Sequence, residues 1–432
     1  MDRTEFRAVS RTAAFIMAAG VSILTTTGQS VEERLRALET QNLGLQEQLA
    51  AQRTTIADLQ RRLESGGTPA PEATEEPKKR TGLDFGPVHL TGEGGVGYFH
   101  SGSDGHFPAS SFRVDEMKLF LEAPIWDGTY IFSELDIVTR EANDEFFHLG
   151  ELYIDFENVL RRWTEKNFLS LRAGRIDIPF GEEYSTRDVI DNPLISHSLS
   201  DLWGIDEGLE LYGNVYGLDY ALAVQNGGHP TLQDFTDDKS FAGRIGYNIG
   251  QRARLSFSGM RTGNLSVVED GMSELWFGGG FFRGLGPEAT TTTFGAQVFE
   301  LDGQAFWKTG HLKAAVGHFD YDDNDSTADH ARDGYYYYME AVQRLTSKFY
   351  AAGRFSQIHT DEGLPIVGQG DFGKYFFGPL TRDIWRLSIG LGYRLSDNLV
   401  AKLEYSHEQG ELRNGAQRDR QNFFGAELGF KF

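Results

Sequence analysis

The sequence contains no cysteine, which excludes disulfide bonds, thiolate metal sites, cysteine nucleophiles and a lipid on an N-terminal cysteine. Proline is scarce, with 12 residues among 432, whereas glycine (51 residues) and aromatic residues (13%) are abundant. This balance favours many long strands over helices. Outside the N-terminus there is no run of about 18 apolar residues, so the chain does not read as a helical membrane protein.

The excess of acidic residues lies in one part of the chain. The net charge is −22, yet residues 1–80 contain equal numbers of basic and acidic residues, so the remainder carries all of it. A strongly acidic segment argues against nucleic-acid binding, which needs a basic face.

The N-terminus has the pattern of a secretory signal peptide. Three arginines precede the apolar segment 13–24, and we expect cleavage near Gly28, which gives a signal peptide over residues 1–28. The alternative is a short N-terminal membrane anchor, although an apolar segment of this length is too short to span a bilayer.

Residues 31–64 predict a coiled coil. Apolar residues fill most a and d positions over five heptads, and Asn42 occupies an a position, where it fixes register and oligomeric state. A coiled coil needs partner helices, so we expect an oligomer; a single amphipathic helix is the alternative. Residues 65–82, rich in Gly, Pro and charge, predict a disordered linker.

From residue 83 to 432 the pattern predicts an all-β domain of about 16 strands. Short turns alternate with long polar loops, as in an antiparallel up-and-down β-barrel of the outer membrane. The last strand ends on Phe432, which suits a strand that closes a barrel by pairing with the first. The segment 274–282 is an alternative extra strand.

The predicted strands have one apolar face and one mixed face. Leu387 and Ile389 share a face, whereas Arg386 and Ser388 share the other. Aromatic residues gather at the short turns and predict an interfacial girdle of Trp126, Tyr130, Tyr216, Tyr247, Trp307, Phe349 and Tyr393.

The segment Arg172-Ala-Gly-Arg-Ile-Asp-Ile-Pro-Phe-Gly181 resembles the phosphate-selective porin O and P family. In that family a strand ending in Gly-x-x-x-x-Pro-Phe leads into a long constriction loop; here Gly174, Pro179 and Phe180 match. The resemblance implies a trimer of 16-stranded channels, each narrowed by a loop at about residues 177–205. An N-terminal coiled coil and a terminal Phe are also seen in that family.

Charged residues on the inner face and in this loop are the candidates for pore lining. They are Arg172, Arg175, Arg187, Asp188, Asp191, Arg244, Arg254, Arg354, Arg386 and Lys402. A phosphate-selective lumen needs many basic side chains to replace the water shell of the anion. This segment is acidic overall and its inward candidates are mixed, so the fold and the channel role carry over and the phosphate selectivity stays open.

Other motifs fail their context tests. Gly92–Gly97 satisfies G-x-G-x-x-G but no helix follows it, and Gly368–Lys374 resembles a P-loop but continues with Tyr375. Asp320–Asp325 has calcium-like spacing without the turn glycine or the closing Glu. We therefore expect no cofactor, no metal site and no enzyme activity. The alternatives are a weak divalent-cation site at Asp320–Asp325 and an enzyme at the barrel rim that uses Asp188, Asp191 and Asp201 near Arg187.

Together these observations predict a passive outer-membrane channel for small charged or polar solutes. Anions such as phosphate are among the candidate solutes. The expected partners are two further copies in a homotrimer, outer-membrane lipid and lipopolysaccharide, with the coiled coil in the periplasm. The alternative is a structural anchor whose coiled coil tethers the membrane to peptidoglycan.

Overall fold

The computed structural model describes residues 82–138, 147–164, 166–200, 202, 204–227, 234, 236–267 and 290–432. The predicted signal peptide, the coiled coil and all but the last residue of the predicted linker lie outside these residues. So does the alternative strand 274–282.

Sixteen long strands form one sheet within the described residues. They are β1 Val88–Ser101, β2 Ser111–Trp126, β3 Thr129–Val138, β4 His148–Phe156, β5 Ser170–Asp177, β6 Ile205–Val215, β7 Leu218–Gln225, β8 Ser240–Ile249, β9 Ala253–Arg261, β10 Thr293–Trp307, β11 Gly310–Asp323, β12 Arg332–Arg344, β13 Phe349–Leu364, β14 Thr381–Ser396, β15 Leu399–Leu412 and β16 Phe423–Lys431. Three short strands (Leu83–Phe85, Leu265–Ser266 and Gln417–Arg418), a 3₁₀ turn Glu183–Thr186 and a short helix α1 (Phe372–Phe376) complete the elements.

The sheet closes on itself. Every strand pairs antiparallel with the next, and β16 pairs with β1 from Phe423 opposite Ser101 to Lys431 opposite Glu93. Beyond the strand, the backbone N–H of Phe432 donates to the carbonyl of Gly92 at 2.8 Å. Closure leaves no free strand edge, so the prediction of a 16-stranded barrel is confirmed. No helix in the described ranges is long and apolar enough to cross a membrane.

The two rims of the barrel differ in their connections. The short-turn rim carries the connections 127–128, 216–217, 250–252, 308–309, 345–348 and 397–398, and the opposite, long-loop rim carries the long ones. The connection 157–169 is an exception, because it is long yet lies on the short-turn rim. The tight turn 216–217 needs positive φ at both positions, 54° at Tyr216 and 88° at Gly217.

The strands present an apolar face outward. On β15, Leu403 is 51% exposed, whereas its neighbour Lys402, on the inner face, is 2% exposed. The same alternation exposes outward Phe241, Ile245, Leu255, Phe257, Phe299, Leu301, Leu387, Ile389 and Leu391. Period-2 alternation in a closed sheet gives this arrangement directly.

The predicted girdle is only partly right. Trp126 and Tyr216 are 74% and 80% exposed at the short-turn rim. Tyr130 is a wrong assignment, because its hydroxyl donates inward to Asp155 Oδ2 at 3.1 Å. Tyr130 follows a turn, but it lies two residues before Phe132, which faces inward. Residues two apart on a strand share a face, so Tyr130 faces inward as well.

Part of the interior is apolar, whereas the strand pattern predicted a mixed inner face. Near the long-loop rim, inner-face residues of β8 to β14 form a cluster with Phe180, Leu199 and Leu202 of the β5–β6 connection. Val298, Phe319, Tyr336, Ile358 and Ile384 are fully buried there. This cluster is the largest core of the described chain, and it exists because the connection folds against the wall.

Candidate functional site

The connection 178–204 between β5 and β6, here called the inner loop, runs across the inside of the barrel. It bonds to Ser258 on β9, to Ser356 on β13 and, through Val189, to Glu116 on β2. A single connection that reaches widely separated parts of a closed ring, always through side chains on the face opposite the apolar one, must pass through the interior.

Lys402 of β15 holds the tip of the inner loop. Its ammonium group donates to the carbonyl oxygens of Val189 and Leu194, both at 2.9 Å. It also pairs with Glu427 of β16 at 2.7 Å. The ammonium group thus donates two hydrogen bonds to the loop and forms one ion pair with the wall. Lys402 was predicted to line the pore, but the structure uses it to fix the loop.

Glu404 is the next inward-facing residue of β15 after Lys402, and it accepts hydrogen bonds from the backbone N–H groups of the same loop. Its carboxylate accepts from the backbone N–H groups of Ile195 and Ser196 at 2.6 and 2.8 Å, and from the Ser196 hydroxyl. Ser406 donates to it as well, at 2.5 Å. A buried carboxylate with this many donors is fully compensated, and it replaces the hydration of the loop backbone.

Arg354 of β13 makes a third attachment. It donates to the carbonyl of Ser196 at 2.6 Å and to the side-chain oxygen of Asn192 at 2.9 Å, and it pairs with Glu340. The side chain is 5% exposed. The guanidinium group of Arg354 therefore connects the inner loop to its own strand, β13, and to Glu340 of β12.

Arg386 of β14 repeats this arrangement. It donates to the carbonyl of His197 at 2.9 Å and pairs with Glu408 at 2.6 Å. It is 5% exposed. Arg354, Arg386 and Lys402 thus lie behind the inner loop, where their charges meet carbonyl oxygens and carboxylates.

Glycines on the inner face make room for apolar side chains of the inner loop. Three pairs are in close contact: Gly390 with Leu194, Gly425 with Ile195, and Gly429 with Val189. A Cβ atom at Gly429 would collide with Cγ1 of Val189. Glycine at this position is therefore required by the close approach of the loop and not by backbone conformation.

Two predicted arginines hold the other end of the inner loop. Arg254 donates to Glu182 Oε1 through two nitrogens at 3.0 and 2.9 Å, and to Asp219 at 2.7 Å. Arg244 donates to the carbonyl of Gly181 at 2.6 Å. Their side chains are 15% and 19% exposed, so they are less covered than the three bases behind the loop tip.

The structure separates the two predicted arginines of β5. Arg172 donates to Asp155 at 2.8 Å and approaches Glu210 at 3.6 Å, and 28% of its side chain remains exposed. Arg175 is almost buried and bonds to Glu207 at 2.7 Å and to backbone oxygens of β4. Arg172 faces the interior space, whereas Arg175 joins neighbouring strands.

The predicted charges in the inner loop itself lie close together. Arg187 approaches the ring of His197 at 3.3 Å. Asp188 lies 3.9 Å from Lys118 of β2 and has 44% of its side chain exposed, and Asp191 is also exposed. Asp188 therefore faces the space between the loop and β2.

The inner wall from β1 to β7 is rich in carboxylates, and the contacts given above join it to the inner loop at Glu116 and Lys118 of β2, so it is here called the uncovered wall. Strand register places on this wall the carboxylates of Glu93, Glu116, Glu122, Glu134, Asp136, Asp155, Glu210 and Asp219. The bases on the same wall are Arg113, Lys118 and Arg172. Carboxylates thus outnumber bases on this wall, although five of them (Glu93, Glu134, Asp136, Asp155 and Glu210) are no more than 8% exposed. Behind the loop, the three bases are accompanied by Glu340, Glu404, Glu408 and Glu427.

Aromatic side chains on this wall are the residues that sequence reasoning missed. Phe120, Phe132 and Tyr153 stack in sequence on β2, β3 and β4, with ring centroids 6.1 and 5.1 Å apart. The signal was present in the phase of β2, because Phe120 lies on the same face as Lys118 and Glu122.

The long-loop rim is fixed by one buried arginine. Arg418 donates to Thr381 at 2.7 Å and to the carbonyls of Ile366 and Val367, and its guanidinium lies 3.8 Å from the ring centre of Tyr375. Burial lowers the pKa of Arg418 to about 10, so it remains charged at neutral pH.

The remaining sequence motifs do not form ligand-binding sites in the described part of the chain. Gly92–Gly97 is part of β1, and Gly368–Lys374 leads into α1. Across the described ranges, no group of three or more His, Asp or Glu side chains is arranged to hold a metal ion, and that includes Asp320–Asp325.

Sequence comparison identifies no relative: no protein-family model and no curated protein matches the chain. Structural comparison does find similar folds. The outer membrane channel DcaP of Acinetobacter baumannii superposes with a TM-score of 0.56 at 10% identity, covering 82% of this chain and 100% of that one. A trimer form of OmpT, an outer membrane protein of Vibrio cholerae, gives 0.51 at 10% identity, covering 80% and 99%. OprB of Pseudomonas putida gives 0.51 at 11% identity, covering 79% and 93%. The chain therefore has the closed barrel fold seen in outer-membrane channels.

Proposed function

We propose that this chain is an outer-membrane diffusion channel that favours small cationic and polar solutes over anions. The observation that carries the proposal is the division of charge by the inner loop. Arg354, Arg386 and Lys402 are occupied behind the loop, whereas the wall of β1 to β7 presents an excess of carboxylates. Fixed charges beside a narrow passage attract counter-ions and repel ions of the same sign.

The outer-membrane location is supported by the apolar outer face and by the similar folds. The proposed narrowing is at residues 177–205, supported by the hydrogen bonds that hold the inner loop across the interior. A phosphate-selective lumen would need bases free to replace the water shell of an anion. Arg354, Arg386 and Lys402 are bonded to loop carbonyls, and Arg172 and Lys118 on the facing wall are paired with Asp155 and Glu134, so phosphate is not the solute class we favour.

A homotrimer is the proposed assembly. It is supported by the heptad pattern of residues 31–64 and by the trimer form described for OmpT. A tether to peptidoglycan through residues 31–64 is the second candidate role, supported by the length of that heptad segment. Deletion of 31–64 distinguishes the two: loss of trimers with an intact envelope favours assembly, and detachment of the envelope favours the tether.

Planar-bilayer recording tests the channel. Purified, refolded protein should give discrete conductance steps. In a tenfold KCl gradient, the sign of the zero-current potential should show that potassium permeates more readily than chloride. An absence of steps would overturn the channel role, and chloride preference would overturn the proposed selectivity.

A further inference from the structure

The stacked rings on the uncovered wall extend into a longer row. After Phe120, Phe132 and Tyr153, the guanidinium of Arg172 lies 5.0 Å from the ring of Tyr153 and 4.5 Å from the ring of Tyr212. These five side chains, here called the aromatic row, come from five consecutive strands, β2 to β6. They form a continuous band of ring faces and one planar cation across the inner wall.

The position of the row follows from strand register. Phe120 lies opposite Glu134, and Phe132 lies opposite both Glu122 and Tyr153. Each phenylalanine therefore has a carboxylate as its neighbour across the strand pair, on the same inner face. The rings are embedded in the acidic part of the wall.

The row has a different environment from the apolar cluster on the opposite wall. That cluster is covered by Phe180 and Leu199 of the inner loop. Phe120 and Phe132 are only half-buried, and in the described part of the chain neither belongs to an apolar cluster with the inner loop. The half-buried ring surface of Phe120 and Phe132 on the inner face is therefore available for contact with a solute.

The row contains an internal example of the ligand chemistry that suits it. The guanidinium of Arg172 contacts the faces of two tyrosines while Asp155 accepts its hydrogen bond at 2.8 Å. Phe120 and Phe132 offer the same two elements, a ring face and the nearby exposed carboxylate of Glu122; Glu134, beside Phe120, is 8% exposed and lies 3.3 Å from Lys118. A planar or quaternary cation gains from both, because the ring quadrupole and the carboxylate attract the same charge.

We propose that Phe120 and Phe132 form a contact site for organic cations in transit, namely ammonium or guanidinium compounds with a flat or apolar part. The site rests on the proposed cation-preferring channel and names its solute class. Neutral solutes lack the attraction of the carboxylates, and anions are repelled by them.

Block of the potassium current tests the site. The probe is benzyltrimethylammonium, compared with benzyl alcohol and benzenesulfonate as neutral and anionic analogues. The variant is Phe120→Leu with Phe132→Leu, which keeps apolar bulk and removes the ring faces. The matched control is Phe257→Leu with Phe299→Leu, a stacked pair on the outer face with centroids 6.3 Å apart. Phe132→Leu alone serves if the double variant does not fold.

Benzyltrimethylammonium should block the wild type at a lower concentration than either analogue. The row variant should raise its half-blocking concentration about fivefold, and the outer-face control should leave it unchanged. If the half-blocking concentration of benzyltrimethylammonium is unchanged in the row variant, the proposed contact site is overturned, even if the channel still prefers potassium to chloride. Equal block by benzenesulfonate overturns the solute class. Chloride preference with ring-dependent block by the cation overturns the proposed selectivity alone.

Discussion

The ammonium group of Lys402 donates to the carbonyl oxygen of Leu194 at 2.9 Å, although 208 residues separate the two in sequence. The contact joins the last quarter of the barrel to the tip of the inner loop. It also makes Lys402 an attachment point for the loop, so this base does not contribute to the lining of the passage.

Removal of this attachment should loosen the inner loop. The double variant Lys402→Met with Glu427→Gln avoids an unpaired buried charge, which alone would cost about 3–5 kcal/mol. We expect a stable barrel with larger and noisier single-channel currents, because two loop carbonyls lose their donor. Lys308→Met, on an exposed turn, is the control. Quiet currents of wild-type size in the double variant would show that the loop is held without Lys402.

The fit of the inner loop against the wall should depend on side-chain size at Gly429. We expect Gly429→Val to destabilise the protein by about 1–3 kcal/mol, because its side chain would occupy the space of Val189. Adding Val189→Gly should restore most of the stability and the wild-type conductance. Unfolding in urea measures the first effect and bilayer recording the second. A swap that fails to recover either would contradict the packing described here.

The barrel was accessible from sequence, whereas the roles of its charged residues were not. Alternation such as Lys402-Leu403-Glu404 shows which face a residue takes, because the period of two is local. It does not show whether an inner residue faces open space or the inner loop. That depends on contacts such as Lys402 with Leu194, which no local pattern encodes. Tyr130 illustrates the same limit, since closeness to a turn predicted a girdle position that its strand phase excludes.

Selectivity should respond to acids on the uncovered wall and loop tip. Neutralising Glu122→Gln together with Asp188→Asn should lower the potassium-to-chloride permeability ratio about two- to fivefold, because each carboxylate lies beside the proposed path. Asp127→Asn, on an exposed turn, should leave the ratio unchanged. The ratio comes from zero-current potentials at several KCl gradients. Equal effects of both sets of changes would place the selective field elsewhere.

The long-loop rim should depend on Arg418. Replacing Arg418→Gln removes the donors to the carbonyls of Ile366 and Val367 and the contact with the Tyr375 ring. We expect the connection 365–380 to become sensitive to protease added from the long-loop side, while the strands stay resistant. Arg420→Gln, whose side chain is exposed, is the control. Equal resistance in both variants would contradict the anchoring role.

The absence of cysteine permits a direct test of the central claim, that the open passage runs along the acidic wall and not along the bases behind the loop. Single cysteines are placed by Phe132→Cys on the uncovered wall and by Ser388→Cys behind the inner loop. The measurement is the ratio of labelling rates at position 132 with cationic and anionic methanethiosulfonates. We predict about tenfold faster reaction with the cationic reagent, and no reaction at position 388. Equal rates or faster anionic labelling at position 132, or ready labelling at position 388, would contradict the account.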